Sequence, residues 1–192
     1  MDIKELDKTY IANTYSRFPF VAVSGSGARV TGENGGTCID LGSGIAVDAF
    51  GVCDPEWVAA VEAQLHKIQH FSNLFYTEPQ AKLAELLCQR TGRHKVFFCN
   101  SGAEANENAL RIACRTTGRS RVLALEHGFH GRTAASAAVT WGAAKSWYGF
   151  PRTPFDVDFI PRDDIAKAEA LIDDSTAAVI IEVVQGLAGA YD

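Results

Sequence analysis

From residue 95 onward, short apolar runs alternate with stretches of helical periodicity, and this alternation limits the fold more than any other feature. Residues 95–99 and Arg121–Leu125 read as strands, as do the short segment 157–160 and the run 177–184. Between the first two, a helix from about Ala103 places Leu110, Ala113, Cys114 and Thr117 on one side, and Gly118 ends it. An Ala-rich helical stretch starts at Thr133, and a further helix is expected near 164–172. This order builds an α/β domain on a mostly parallel sheet with flanking helices. The run 177–184 is apolar apart from Glu182, which suits a central strand buried on both faces. A doubly wound sheet normally continues past such a strand, so the sequence reads as cut after its Gln185-Gly186-Leu187-Ala188-Gly189 loop.

The first 50 residues are less regular. Val30, a glycine-rich turn over 32–36, and Cys38-Ile39-Asp40-Leu41 read as a hairpin. Asp54-Pro55 then supplies an N-cap and a first-turn proline, and Trp57, Val58, Val61, Leu65 and Ile68 share one helix face. A second helix is expected from Thr77-Glu78-Pro79-Gln80, with Leu83, Leu86 and Leu87 as its buried face and Gly92 beyond its end.

Composition narrows the function. With 47% hydrophobic residues, including 11 Phe, the chain has material for a core and is not a disordered polymer. Eighteen basic residues against 23 acidic ones, without a Lys/Arg cluster, disfavour nucleic acid as a partner. No run approaches the ~18 apolar residues that span a bilayer. The charged start Met1-Asp2-Ile3-Lys4-Glu5 has no apolar segment behind it, so neither a secretory signal nor a membrane partner is expected. Five cysteines without a C-x-x-C pair read as free thiols, and together these features predict a cytoplasmic protein. His66 and His70 have metal-ligand spacing but lack a third ligand, and no metal site is expected.

Two loops and one acid could carry chemistry. Asn100-Ser101-Gly102-Ala103-Glu104-Ala105-Asn106 lies between a strand and a helix, where small residues and unpaired N–H groups suit an anion. Ser101 serves either the ligand or the helix as its cap. Glu126-His127-Gly128-Phe129-His130-Gly131-Arg132-Thr133 follows the next strand. Its Phe can stack on a planar ring and its Arg can clamp a carboxylate, or the Phe packs inward and the Arg pairs with Glu126. Both loops lie at the carboxyl ends of strands, where open α/β sheets bind ligands. Glu182 is an acid in an apolar run and needs a partner. Asn73 and Tyr76 are polar handles ahead of a helix.

Taken together, Ser72-Asn73-Leu74-Phe75-Tyr76-Thr77-Glu78-Pro79-Gln80, Phe98-Cys99-Asn100-Ser101-Gly102-Ala103-Glu104-Ala105-Asn106-Glu107, Phe129-His130-Gly131-Arg132-Thr133 and Ile180-Ile181-Glu182-Val183-Val184-Gln185-Gly186 resemble class III pyridoxal-phosphate aminotransferases. Asp40-Leu41-Gly42-Ser43-Gly44-Ile45-Ala46-Val47 resembles them too, and the likeness runs from about residue 15 to the end. The resemblance implies a fold type I pyridoxal-phosphate-dependent transferase, with 1–52 as an N-terminal segment of the small domain and 53–192 as the first part of the large cofactor-binding domain. It implies a homodimer with pyridoxal 5'-phosphate at the subunit interface. Ser101, Gly102 and Ala103 would hold the cofactor phosphate, Phe129 would stack on its ring, and Glu182 would lie beside it. Arg132 would bind the substrate α-carboxylate and Tyr76 would line the substrate pocket. The substrates would be an amino acid and a 2-oxo acid. The implied chemistry is transfer of the δ-amino group of N-acetylornithine to 2-oxoglutarate. Alternatives are ornithine, succinylornithine or 4-aminobutyrate as donor, or a non-catalytic anion-binding remnant.

The sequence departs from the family in three places. The usual Gly-His-x-His-Pro is Gly51-Val52-Cys53-Asp54-Pro55, and the usual Glu-Pro-x-Gln-Gly-Glu ends in Leu187 instead of an acid. The Schiff-base lysine and the aspartate that pairs with the pyridinium nitrogen come later in family members than residue 192. None of Lys4, Lys8, Lys67, Lys82, Lys95, Lys145 and Lys167 stands in the matching context, so no catalytic residue is expected within these 192 positions.

Overall fold

The structure, a computed structural model, describes residues 2–190; the ends of the expected segments at residues 1 and 192 lie outside them. The chain divides into two compact units between Ala81 and Lys82.

The N-terminal unit opens with α1 (Ile3–Tyr10), whose cap Asp2 accepts the N–H of Glu5. Three antiparallel strands follow in the order β1 (Ala22–Ser26), β2 (Arg29–Gly32), β3 (Thr37–Ile39). The expected hairpin is β2–β3, with Val30 opposite Cys38. The sequence reading lacked β1, whose Ser24-Gly25-Ser26 half carries no β signal. Next comes α2 (Ser43–Ala46), a single turn with positive φ at all four residues. Helix α3 (Pro55–Leu65) has the expected start: the Asp54 carboxylate accepts the N–H of Trp57 at 2.9 Å, with proline in the first turn. Helix α4 (Glu78–Thr91) crosses the boundary between units.

One expectation for these helices needs correction. Leu83, Leu86 and Leu87 are 47%, 48% and 37% exposed, and neither α3 nor α4 has a buried residue. The apolar stripes exist, but among the described residues they are only partly covered.

The C-terminal unit contains α5 (Gly102–Thr117), β4 (Arg121–Leu125), α6 (Ala134–Ala138), α7 (Ala143–Ser146), β5 (Asp156–Ile160), α8 (Ile165–Leu171) and β6 (Thr176–Ile180). Its sheet is parallel, in the order β5-β4-β6. Helix α5 stops where expected, at Gly118, whose φ of 69° needs no β-carbon and lets its N–H reach the Cys114 carbonyl. Strand β4 is the spine: Val122, Leu123 and Ala124 are fully buried, and Leu110, Val139 and Phe155 pack into the same core as Val122 and Ala124. Burying one such large side chain stabilises the fold by about 1.5–3 kcal/mol.

Two strand expectations change. Residues 95–99 form no ladder among the described residues, although Val96 and Phe98 alternate with the more exposed Lys95, Phe97 and Cys99. Alternation specifies a pleated surface, but a strand exists only beside a hydrogen-bonded neighbour. The 177–184 run forms a strand only as far as Ile180, and it is an edge of the described sheet. The central strand is β4, so Glu182 lies just past a strand end.

Candidate active site

The start of α5 is built by reciprocal capping. The Ser101 hydroxyl accepts the N–H of Glu104 at 3.1 Å, and the Glu104 carboxylate accepts the N–H of Asn100 at 2.6 Å. Serine therefore acts as the helix cap, while its own O–H proton remains available to donate. The N–H groups of Gly102 and Ala103 donate to no group among the described residues. Apart from its chain neighbours and its own helix backbone, no described atom lies within 4 Å of the place a β-carbon on Gly102 would take, so the helix opens onto clear space. Two unpaired amides and a hydroxyl at the positive end of a 16-residue helix make an anion cradle.

The loop after β4 lies against that same helix. Asn106 Nδ2 donates to the His130 carbonyl at 2.8 Å, and Ser136 Oγ donates to the Ala103 carbonyl at 2.8 Å. Glu107 receives the Thr133 hydroxyl at 2.6 Å and the N–H groups of Ala135 and Ser136 at 2.9 and 3.1 Å. Burial pushes the Glu107 carboxyl up, but the bonds from Thr133, Ala135 and Ser136 outweigh it and hold the group below the ordinary carboxylate value.

The other side of the loop is fixed by Glu182, whose Oε2 accepts the N–H of Phe129 at 3.1 Å. The acid thus has the partner its setting demanded. The Arg132 guanidinium carbon lies 5.3 Å from the centroid of the Phe129 ring, within cation–π range. His130 is buried, its Nε2 has no partner among the described residues, and burial pushes its pKa down against a smaller opposing pull from Glu182. Gln185 is buried as well and donates through Nε2 to the Glu126 carbonyl at 2.9 Å. A hollow of about 350 Å³ opens beside the loop, walled by Phe129, Arg132, Trp141, Trp147 and Leu187. Trp141 stands between His127 and Phe159, with ring centroids 5.6 and 4.9 Å away.

Ser101, Gly102, Ala103, Phe129, Arg132 and Glu182 therefore all belong to the C-terminal unit, with the loop held between the helix and the Glu182 carboxylate. Tyr76 lies in the N-terminal unit, just before α4, with its side chain fully exposed. No role follows from the sequence alone for Asn106, Glu107, Trp141 or Trp147. A signal existed for the first two: they continue the stripe of Ala103, Leu110, Ala113 and Cys114, and polar groups on an apolar stripe need partners.

Known proteins match the chain over nearly its whole length. The family model described as aminotransferase class-III matches residues 10–192. Acetylornithine aminotransferase of Methanopyrus kandleri is 47% identical over 193 residues, covering 98% of this chain and 49% of the relative. The enzyme of the same name from Archaeoglobus fulgidus is 42% identical, covering 100% of this chain and 51% of the relative. Among solved structures, ornithine aminotransferase from Toxoplasma gondii superposes with a TM-score of 0.86 at 27% identity, over 95% of this chain and 45% of its own. N-acetylornithine aminotransferase from Stenotrophomonas maltophilia gives 0.75 at 32%, over 97% and 46%. The chain spans about half the length of the curated relatives it matches.

Proposed function

The chain belongs to the class III aminotransferases, and from that premise we propose that it carries one part of a pyridoxal-phosphate-dependent active site. In the complete protein that site transfers the δ-amino group of N-acetylornithine to 2-oxoglutarate. The carrying observation is that the α5 cradle and the Phe129–Arg132 loop share one rigid set of hydrogen bonds. The residues present fit the cofactor. Unpaired amides at Gly102 and Ala103 with the Ser101 hydroxyl suit a phosphate dianion, and open space at Gly102 admits it. When bound, pyridoxal phosphate supplies an electron sink for the carbon that loses its amino group.

The chain's own residues bind and orient. Ser101, Gly102 and Ala103 hold the phosphate, and Phe129 offers its ring face to the pyridine. Glu182, through the Phe129 N–H, keeps that ring in place beside the cofactor. Arg132 receives the substrate carboxylate through two parallel N–H donors, and Tyr76 lines the substrate pocket. Burial holds His130 below the ordinary imidazole pKa, which favours its neutral form over a second cation beside Arg132.

For the complete protein we infer the domain division at 52/53, a homodimer with the cofactor at the subunit interface, and a cytoplasmic location. The location rests on five free cysteines. No helix of the described residues is long and apolar enough to cross a membrane.

A second reading, a related ω-amino acid transaminase acting on ornithine, succinylornithine or 4-aminobutyrate, is favoured by the likeness to ornithine aminotransferase. The test is kcat/KM with N-acetylornithine and these three donors, each with 2-oxoglutarate, for protein expressed from the complete reading frame and for residues 1–192 alone. Acetylornithine is expected to lead with the first protein, and the second is expected to show no turnover, because the anchoring lysine is not among its seven. A frame that ends at codon 192, encoding a protein that binds cofactor without turnover, would replace both readings with an anion-binding module.

A further inference from the structure

Three residues on one face of α5 hold the loop that follows β4. Ala103, Asn106 and Glu107 stand at positions i, i+3 and i+4 of the helix, so they form one patch. Ala103 accepts the Ser136 hydroxyl, Asn106 donates to the His130 carbonyl, and Glu107 accepts three donors from Thr133, Ala135 and Ser136. Thr133 occupies the N-cap position of α6 yet makes no cap bond with its side chain. The cap is supplied instead by Glu107, a full negative charge from another helix placed on the first-turn amides of α6. Charge-assisted bonds of this kind are about twice as strong as neutral ones. The loop is gripped at both ends, since Asn106 holds residue 130 and Glu107 holds residue 133, with Arg132 between them.

The same helix that grips the loop also starts at the anion cradle, one turn before Glu107. We propose that Glu107 is a positioning residue: by capping α6 it sets the distance between the cradle at Gly102 and Ala103 and the Phe129–Arg132 loop. This rests on the functional reading above, because only a ligand with both an anionic and an aromatic part senses that distance. Inorganic phosphate needs the cradle alone. A pyridoxyl phosphate needs the cradle and the Phe129 face together.

The experiment compares two probes and adds a readout independent of either. Inorganic phosphate and pyridoxamine 5'-phosphate, which has no aldehyde to condense with lysines, are titrated against the complete protein, wild type and Glu107→Gln. Amide hydrogen exchange is followed over residues 129–136 of the same proteins without ligand. The expected result is a Kd for pyridoxamine phosphate raised about tenfold or more, the loss of one charge-assisted contact. The Kd for inorganic phosphate should change by less than about twofold, because the cradle amides do not touch Glu107. Exchange should speed up at Ala135 and Ser136 and spread to 130–133, while β4 stays protected. Equal weakening of both probes, or unchanged exchange at 130–133, overturns the proposal. Wild-type protein that binds neither probe counts against the functional reading, and the exchange comparison then decides the positioning role alone. Should Glu107→Gln not fold, Thr133→Val, which removes the 2.6 Å bond to Glu107 and the 3.1 Å contact with the Ser136 hydroxyl while keeping the Glu107 charge, carries the same comparison.

Discussion

A β-carbon built on Gly131 would stand 2.7 Å from the β-carbon of Ala103, closer than two such atoms can approach. It would also lie 2.8 Å from the Ser136 β-carbon, and the φ of 137° at Gly131 is one that L-residues rarely adopt. The loop can press against α5 only because position 131 has no side chain. Gly131→Ala should therefore cost at least about 2 kcal/mol of stability, from overpacking and backbone strain together. Chemical denaturation of wild type and variant measures it. Ala103→Gly should not rescue the variant, since Ser136 and the backbone strain remain. A variant with unchanged stability would mean that the loop moves away freely.

How much of this was readable before the structure depends on how local each cause is. Asp54 before Pro55, Ser101 before the α5 pattern and Gly118 after it mark helix ends by bonds within four residues, and all three ends stand where expected. Glu182 declared a need for a partner but not its identity, because the Phe129 N–H is 53 positions away and only the sheet brings it close. Glu107 likewise declares a need, by its place on the apolar stripe of α5, but not its partners, which lie beyond the next strand. Residues 95–99 carry a strand's alternation, yet pairing is a property of two segments and is not written in one.

Acid should loosen the loop in two separate windows. His130 has its pKa lowered by burial, with Glu182 pulling the other way, so the unfolded chain takes up that proton first. Stability from this group is intact above its ordinary value of 6.5 and is lost as pH falls from there toward the folded value. Glu107 is lowered too, its hydrogen bonds overcoming burial, and its contribution is lost as pH falls below the ordinary 4.5. A series of urea midpoints against pH should show both slopes. His130→Gln should abolish the upper slope and leave the lower one. An unchanged upper slope in that variant would assign it to another histidine.

Arg121 ties three elements at the amino end of the parallel sheet. Its Nε donates to Asp158 on β5 at 2.7 Å, and its Nη1 reaches the Leu171 carbonyl at 2.9 Å and Asp173 at 3.0 Å. A planar guanidinium serves these directions at once, whereas a lysine ammonium is a single point at the end of a flexible stem. Arg121→Lys should lower Tm by a few degrees and sit nearer Arg121→Met than wild type. If lysine restores the wild-type Tm, the charge alone matters and the fork geometry does not.

Leu187 shares a hollow with Arg132, and that neighbourhood decides what an acid at position 187 would do. Leucine adds no charge to those walls, whereas glutamate would place a carboxylate inside them that competes with an incoming one for Arg132. Leu187→Glu should therefore raise KM for substrates that present a carboxylate to Arg132, by about tenfold, with a smaller effect on kcat at saturation. Amines lacking a carboxylate at that end should be unaffected, so preference among donors shifts. Arg132→Lys should act on the same substrates by a different route. It keeps the charge but loses the two parallel donors, at a cost on the order of 2–5 kcal/mol in kcat/KM if the carboxylate is left poorly paired. Phe129→Ala should instead loosen the cofactor, read as faster loss of its absorbance on dialysis, because stacking acts on the ring and not on the substrate. The panel of three variants separates the roles. Should Arg132→Lys retain full kcat/KM, the carboxylate binds elsewhere, and Arg132 would serve only to cover the Phe129 ring.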